Sequence, residues 1–395
     1  MMIYQKLRLL GLNLLFIVSI CFIFPAQAIA KKESIPGQVS IEILNPPTPL
    51  RAEGKDYLVY ELHLVNYNFA EIKLQSLEVS DGEKKRIFKF NKDNLAALIH
   101  PVGNKNSGDD SLIISPGMAK MIFMWLPFES KEMIPKHLIH TITFNTKREN
   151  KNLKLTTVTE PMLIKHTDPL VLTPPLQGDH WVAGGGPSNT SYHRSANMVF
   201  NGRDYFAQRF AIDFIKIGDE GLSYQGNENK NENYFAYGEN VLAVAPGKVV
   251  EVKDGIPENT PHTDKTAVPI NLDTVGGNHV VIQLDDDVFA FYAHLIPGSI
   301  KVKKGDKISK GELIGKVGNS GNSSEPHLHF HVVDNPSFLG ANGLPYAFDS
   351  FYIRPSKLLR QDPSLKIEIT SDELQHQLKQ LVLENTVLKF VSNKD

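Results

Sequence analysis

From Gln38 to about Lys165, apolar and polar residues alternate in short runs such as Val39-Ser-Ile-Glu-Ile-Leu44 and Tyr57-Leu-Val-Tyr-Glu-Leu-His-Leu-Val65, separated by Pro, Gly, Asn and Asp. A period of two is the signature of strands. Further strands are predicted at Ile72 to Val79, Lys85 to Phe90, Lys120 to Leu126 and Ile139 to Phe144. Their even spacing suits an Ig-like β-sandwich over residues 36–165. His137 and His140 have no carboxylate or cysteine near them in sequence and read as surface residues.

Between Pro161 and Pro175 four prolines interrupt the pattern, which predicts a linker or strap at 166–178. From Asp179 to Pro355 strands return, at Val241 to Ala245, Gly247 to Lys253, His279 to Leu284, Phe289 to His294 and Leu328 to Val333. The polar stretch Asp254 to Gly277 predicts a long loop, of the kind that often walls a site. Asn201-Gly202 signals a hairpin. Asp372 to Gln380 is expected to form a short helix and Leu381 to Val391 a strand. The fold class is therefore all-β: a sandwich, then an antiparallel β-rich domain over 179–360 with a groove, and a C-terminal extension, 361–395, packed on that second domain.

Composition changes the picture little. The chain has 395 residues, 41% hydrophobic and 22% charged, which is ordinary for a two-domain globular protein. A net charge of -2 gives no basic face and argues against nucleic-acid binding. The N-terminus changes it more. Lys6 and Arg8 precede an apolar run from Leu9 to Pro25 that ends in Ala26-Gln-Ala-Ile-Ala30, the pattern of a secretory signal peptide over residues 1–30. Cleavage near Ala28 or Ala30 predicts an exported chain, periplasmic or extracellular, without membrane insertion. It would carry away Cys21, the single cysteine, leaving no disulfide to stabilise the fold.

The chemistry concentrates in Gly318-Asn-Ser-Gly-Asn-Ser-Ser-Glu-Pro-His-Leu-His-Phe-His331. In an extended segment His327, His329 and His331 share one face while Leu328 and Phe330 anchor the other. Of fourteen histidines, nine fall between His166 and His331. Clustered imidazoles on a rigid backing are what a zinc site requires.

Together with this stretch, Arg209-Phe-Ala-Ile-Asp213, Ala245-Pro-Gly-Lys-Val-Val250, Tyr292-Ala-His-Leu295, Gly305-Asp306 and Ile314-Gly315 resemble the lysostaphin-type zinc metallopeptidases over roughly residues 180–355. The resemblance implies an antiparallel β-fold with a groove, one Zn2+ ion and cleavage of peptide bonds in bacterial peptidoglycan. It implies that His329 and Asp213 are zinc ligands and that His294 and His327 are the catalytic pair. Asn278 and Tyr292 are taken as substrate-binding residues.

One position departs from that family's pattern. A ligand histidine usually stands four residues before the aspartate, and here Arg209 occupies the place. A guanidinium has no lone pair to give a metal. His193 is the proposed replacement, brought to Asp213 by a strand next to the Asn201-Gly202 hairpin, with His180 and His279 as further candidates. Arg209 would instead pair with a carboxylate, Asp213 itself or a substrate acid. His331 stands where an acidic residue is common, and nothing in the sequence assigns it to the metal. Two other functions stay open at this point: a catalytically inactive peptidoglycan-binding or hydrolase-activating protein, and an envelope zinc peptidase acting on a protein.

Overall fold

The strand Lys55–Asn66 shows how the chain is assembled, because both of its faces are buried. Leu58, Tyr60, Leu62 and Leu64 point into one apolar core, while Tyr57 and Val59 belong to another. Its partner Ala119–Phe128 does the same: Ile122, Met124 and Leu126 join the first core, and Met121 and Phe123 pack on Phe206. A strand covered on both faces reads as a near-continuous apolar run, as Tyr57 to Val65 does.

In this computed structural model the described residues are 38–101, 110–149, 151–263, 265–360 and 365–391. The signal-peptide segment 1–30 lies outside them. Among the described residues, no helix is long and apolar enough to cross a membrane.

The first core lies between two antiparallel sheets. One contains Val39–Glu42, Lys55–Asn66, Ala119–Phe128 and Ile99–Pro101; the other contains Lys151–Val158, His137–Arg148, Ile72–Asp81 and Arg86–Asn91. The second core backs an 11-stranded sheet. At its centre Gly178–Gly184, Ile212–Lys216, Leu328–Val333, Val288–Leu295 and Asn278–Asp285 run side by side, each antiparallel to the next. Phe214, Phe330, Trp181 and Tyr346 fill the space behind them. Leu170–Leu172, within the expected linker, pairs in parallel with Tyr346–Arg354. The protein is nearly all-β, with Lys92–Ala96 the one α-helix among the described residues.

Some expectations fail. The helix expected over Asp372 to Gln380 is instead the strand Gln375–Gln380, paired antiparallel with Tyr346–Arg354. A polar six-residue segment has little intrinsic preference, and the hydrogen bonds offered by a sheet edge decide it. His140 is not a surface residue: it is fully buried, and Nε2 lies 2.7 Å from the Tyr60 hydroxyl. The alternation Leu138, His140, Ile142, Phe144 puts all four on the buried face of one strand.

The loop from Asp254 to Gly277 has no regular strand among its described residues. Asn201-Gly202 does turn a hairpin, between Met198–Phe200 and Arg203–Tyr205, with φ of 50° and 78°. His193, however, lies before it in the turn Tyr192 to Ser195, not on a strand beside Asp213.

Candidate active site

Three strands set out the site. Asp213 on Ile212–Lys216 is in register with His329 on Leu328–Val333, and His329 is in register with Ala293, the neighbour of His294. The sheet thus fixes the spacing of Asp213, His329 and His294. Leu328 and Phe330 are buried in the core, as the alternation required. His327 and His193 enter from the segments flanking this frame.

His193, Asp213 and His329 offer donor atoms that lie within 4.8 Å of one another, and all three residues are buried. His329 Nδ1 is 2.8 Å from Asp213 Oδ1, and His193 Nε2 is 3.4 Å from Asp213 Oδ2. Two imidazoles and a carboxylate form a donor set that zinc accepts. The Tyr192 hydroxyl donates a hydrogen bond to Asp213 Oδ2.

Backbone carbonyls set three of the rings. His193 Nδ1 is 2.8 Å from Gly185 O, His294 Nδ1 is 2.7 Å from Ser320 O, and His327 Nδ1 is 2.8 Å from Glu325 O. A carbonyl accepts only, so each Nδ1 carries the proton and each Nε2 presents a lone pair. His294 lies 4.8 Å from His327 and 5.7 Å from His329 between ring centroids. Its backbone has φ of 66°, a left-handed conformation that costs energy for a residue with a Cβ. Next to the Ser320 carbonyl that accepts from His294, Gly277 and Gly321 approach so closely that a Cβ on Gly321 would meet Gly277 N at 2.3 Å.

Electrostatics separate the rings. Burial pushes His193 down to about 4, so it is neutral at physiological pH. Burial also holds His294 well below the usual imidazole range, and His327 and His329 push it the same way. Burial opposes the His327 imidazolium too, but the Asp213 carboxylate 3.4 Å away outweighs it and raises His327. Asp213 would be raised by burial, yet the histidines around it hold its carboxyl well below the usual range.

Other predicted residues lie elsewhere. Asn278 is fully buried; its amide bridges Ile256 O and Leu295 O and accepts from Ile256 N. Tyr292 is also fully buried, its hydroxyl accepting from Val244 N at 3.0 Å. Both have their polar groups committed to backbone and support the frame of the site. His279 is held by Gly277 O and Glu251, and His180 sits four residues from Gly184, the register partner of Asp213.

Arg209 donates nothing to Asp213. It binds Glu61, with Nε 3.0 and 3.1 Å from the two carboxylate oxygens and NH2 2.5 Å from Oε2. Burial alone would raise the Glu61 carboxyl, but Arg209 and Arg194 together hold it below its ordinary value. His331 is fully buried, with Nδ1 2.8 Å from His329 Nε2 and its ring stacked 4.8 Å from Phe291. Sequence reasoning passed over Tyr192, Glu61 and Arg194. A single carboxylate inside the apolar run Tyr57 to Val65 was the available signal for Glu61.

Residues 232–339 match peptidase family M23, the lysostaphin-type metallopeptidases. His294, His327, His329 and His331 fall inside the matched stretch; His193 and Asp213 precede it. Peptidoglycan DD-endopeptidase ShyA of Vibrio cholerae is 46% identical over 57 residues, 14% of this chain and 13% of that protein. Glycyl-glycine endopeptidase ALE-1 of Staphylococcus capitis is 39% identical over 61 residues, 15% of this chain and 16% of that protein. The chain therefore matches less than a fifth of the length of either relative. Among solved structures, the catalytic domain of lysostaphin from Staphylococcus simulans aligns at 23% identity over 42% of this chain and 88% of that one, with a TM-score of 0.23.

Proposed function

We propose that this chain is an exported zinc metalloendopeptidase that cleaves peptide bonds of bacterial peptidoglycan. The observation that carries the reading is the convergence of His193, Asp213 and His329, from three separate segments, beside the paired rings of His294 and His327. The match of residues 232–339 to family M23 and the relatives' names, a peptidoglycan DD-endopeptidase and a glycyl-glycine endopeptidase, support the substrate class. The signal-peptide pattern over residues 1–30 supports export.

His193 through Nε2, Asp213 through its carboxylate and His329 through Nδ1 would hold the ion. Bound zinc supplies a Lewis acid and lowers the pKa of water to about 7. His294 is neutral, and its Nδ1 proton is committed to Ser320, so Nε2 accepts the proton of the attacking water. His327 keeps a proton more readily, because Asp213 faces it, and can donate from Nε2 to the developing oxyanion or to the leaving amine.

Elemental analysis of the purified protein together with digestion of isolated sacculi tests the proposal. The expected result is about one zinc per chain and release of new amino groups that a chelator abolishes. A protein that takes up no zinc would favour the binding-module function, and a zinc protein inert on sacculi but active on an envelope protein would favour the third.

A further inference from the structure

His193 sits on a turn, not on the sheet that fixes Asp213 and His329. The peptidase frame meets its ring at Nδ1, 2.8 Å from Gly185 O, and at Nε2, 3.4 Å from Asp213 Oδ2, and holds the same turn through Ser191 Oγ to Gly185 O and the Tyr192 hydroxyl to Asp213. The residue that follows it, Arg194, is fully buried and reaches into the sandwich. Its guanidinium donates to Tyr60 O and Met124 O, both at 3.0 Å, to Glu61 Oε1 at 3.3 Å, and to Asn189 Oδ1, with Phe123 stacked 4.8 Å away.

Glu61 is shared. The same carboxylate binds Arg209, four residues ahead of Asp213, and no other cation meets it among the described residues. One buried anion on a sandwich strand thus ties down both segments that lead to metal-facing side chains from outside the histidine-rich motif. The pairing also explains how an arginine is accommodated at position 209. It serves as an anchor to the other domain, and the donor is supplied by His193.

We infer that Glu61 is a positioning residue for the metal centre, acting through Arg194 to hold the His193 turn, so that the sandwich is a structural part of the zinc site. The inference rests on the zinc reading above. Buried charges left without their partner are costly, and two guanidiniums would lose theirs if Glu61 were neutralised. The turn that they seat would then be free to shift, taking the His193 Nε2 away from Asp213.

The test is the zinc dissociation constant of the full chain, by chelator competition, for the wild type, Glu61→Gln, Arg194→Gln and the double variant. Each single change is expected to weaken zinc about 10- to 100-fold, the range seen when groups supporting metal ligands are removed. The double variant should be no weaker than the weaker single, because both act on one turn. A Glu61→Gln protein that melts lower without metal yet binds zinc like the wild type would show that Glu61 only joins the domains and would overturn the inference. Losses that multiply in the double variant would overturn the route through Arg194. Should Glu61→Gln fail to fold, Glu61→Asp keeps the charge and shortens its reach, and wild-type zinc affinity in that variant counts equally against the inference. A wild type that binds no zinc refutes the underlying reading itself, a result distinct from any of these.

Discussion

His331 Nδ1 lies 2.8 Å from His329 Nε2, so one histidine of the alternating trio orients another. For His329 to give Nδ1 to a metal, its proton must be on Nε2, where His331 Nδ1 accepts it. The His331 Nε2 then has no partner among the described residues, and the ring is held by stacking on Phe291 and by Phe338 instead. His331→Phe keeps the stack and removes the acceptor. It is expected to weaken zinc about 10- to 100-fold, whereas His331→Glu, which restores an acceptor, should recover much of the loss. Chelator competition reads both, and unchanged affinity in the phenylalanine variant would show that His329 needs no such support.

The proposed ligand set and the proposed catalytic pair are separable by variant. His193→Ala and His329→Ala should each strip the metal, since each removes one of three donors. His294→Ala should keep about one zinc per chain and lose roughly 10²- to 10⁴-fold in turnover, the range for removing a positioned base. Metal content and sacculus digestion measured on the same preparations separate the two effects. Full zinc in His193→Ala would remove that residue from the donor set.

Much of this site was legible because strand alternation is a local rule. His327, His329 and His331 on one face and Leu328 and Phe330 on the other follow from a period of two, as do the sandwich strands. What the sequence did not show depends on distant pairing. His193 was singled out by type and proximity, but its turn is seated by Glu61, 133 positions away from Arg194 in the chain. Asn278 and Tyr292 look available in sequence, and only the folded backbone around them shows their polar groups to be used. The same cause turned Gln375–Gln380 into a strand: a sheet edge is invisible to a local pattern.

Gly185 is where the His193 turn meets the frame. Its φ is 52°, and a Cβ there would stand 2.3 Å from the Tyr192 ring, whose hydroxyl binds Asp213. Gly185→Ala is therefore expected to cost about 1 to 3 kcal/mol of stability from backbone strain alone. It should also weaken zinc, because Gly185 O is the acceptor for His193 Nδ1. Thermal melts with and without zinc read the two parts; a smaller zinc-induced rise in melting temperature than in the wild type is the expected sign.

Acid should weaken the sandwich through His140. Burial pushes its pKa down to about 4 from an ordinary 6.5, because the ring is enclosed with the Tyr60 hydroxyl as its polar partner. The unfolded chain binds a proton at this residue below pH 6.5, and the folded chain does so only near pH 4. Stability from the neutral ring is therefore complete above pH 6.5 and is lost as pH falls from 6.5 to 4, by roughly 3 kcal/mol in all. His140→Gln cannot titrate and still offers Tyr60 a hydrogen-bonding group. Between pH 7 and pH 4.5 it should lose about 2 kcal/mol less than the wild type in urea unfolding, whatever its stability at neutral pH. Equal losses in the two proteins would mean that His140 is already protonated in the folded sandwich, against the burial seen here.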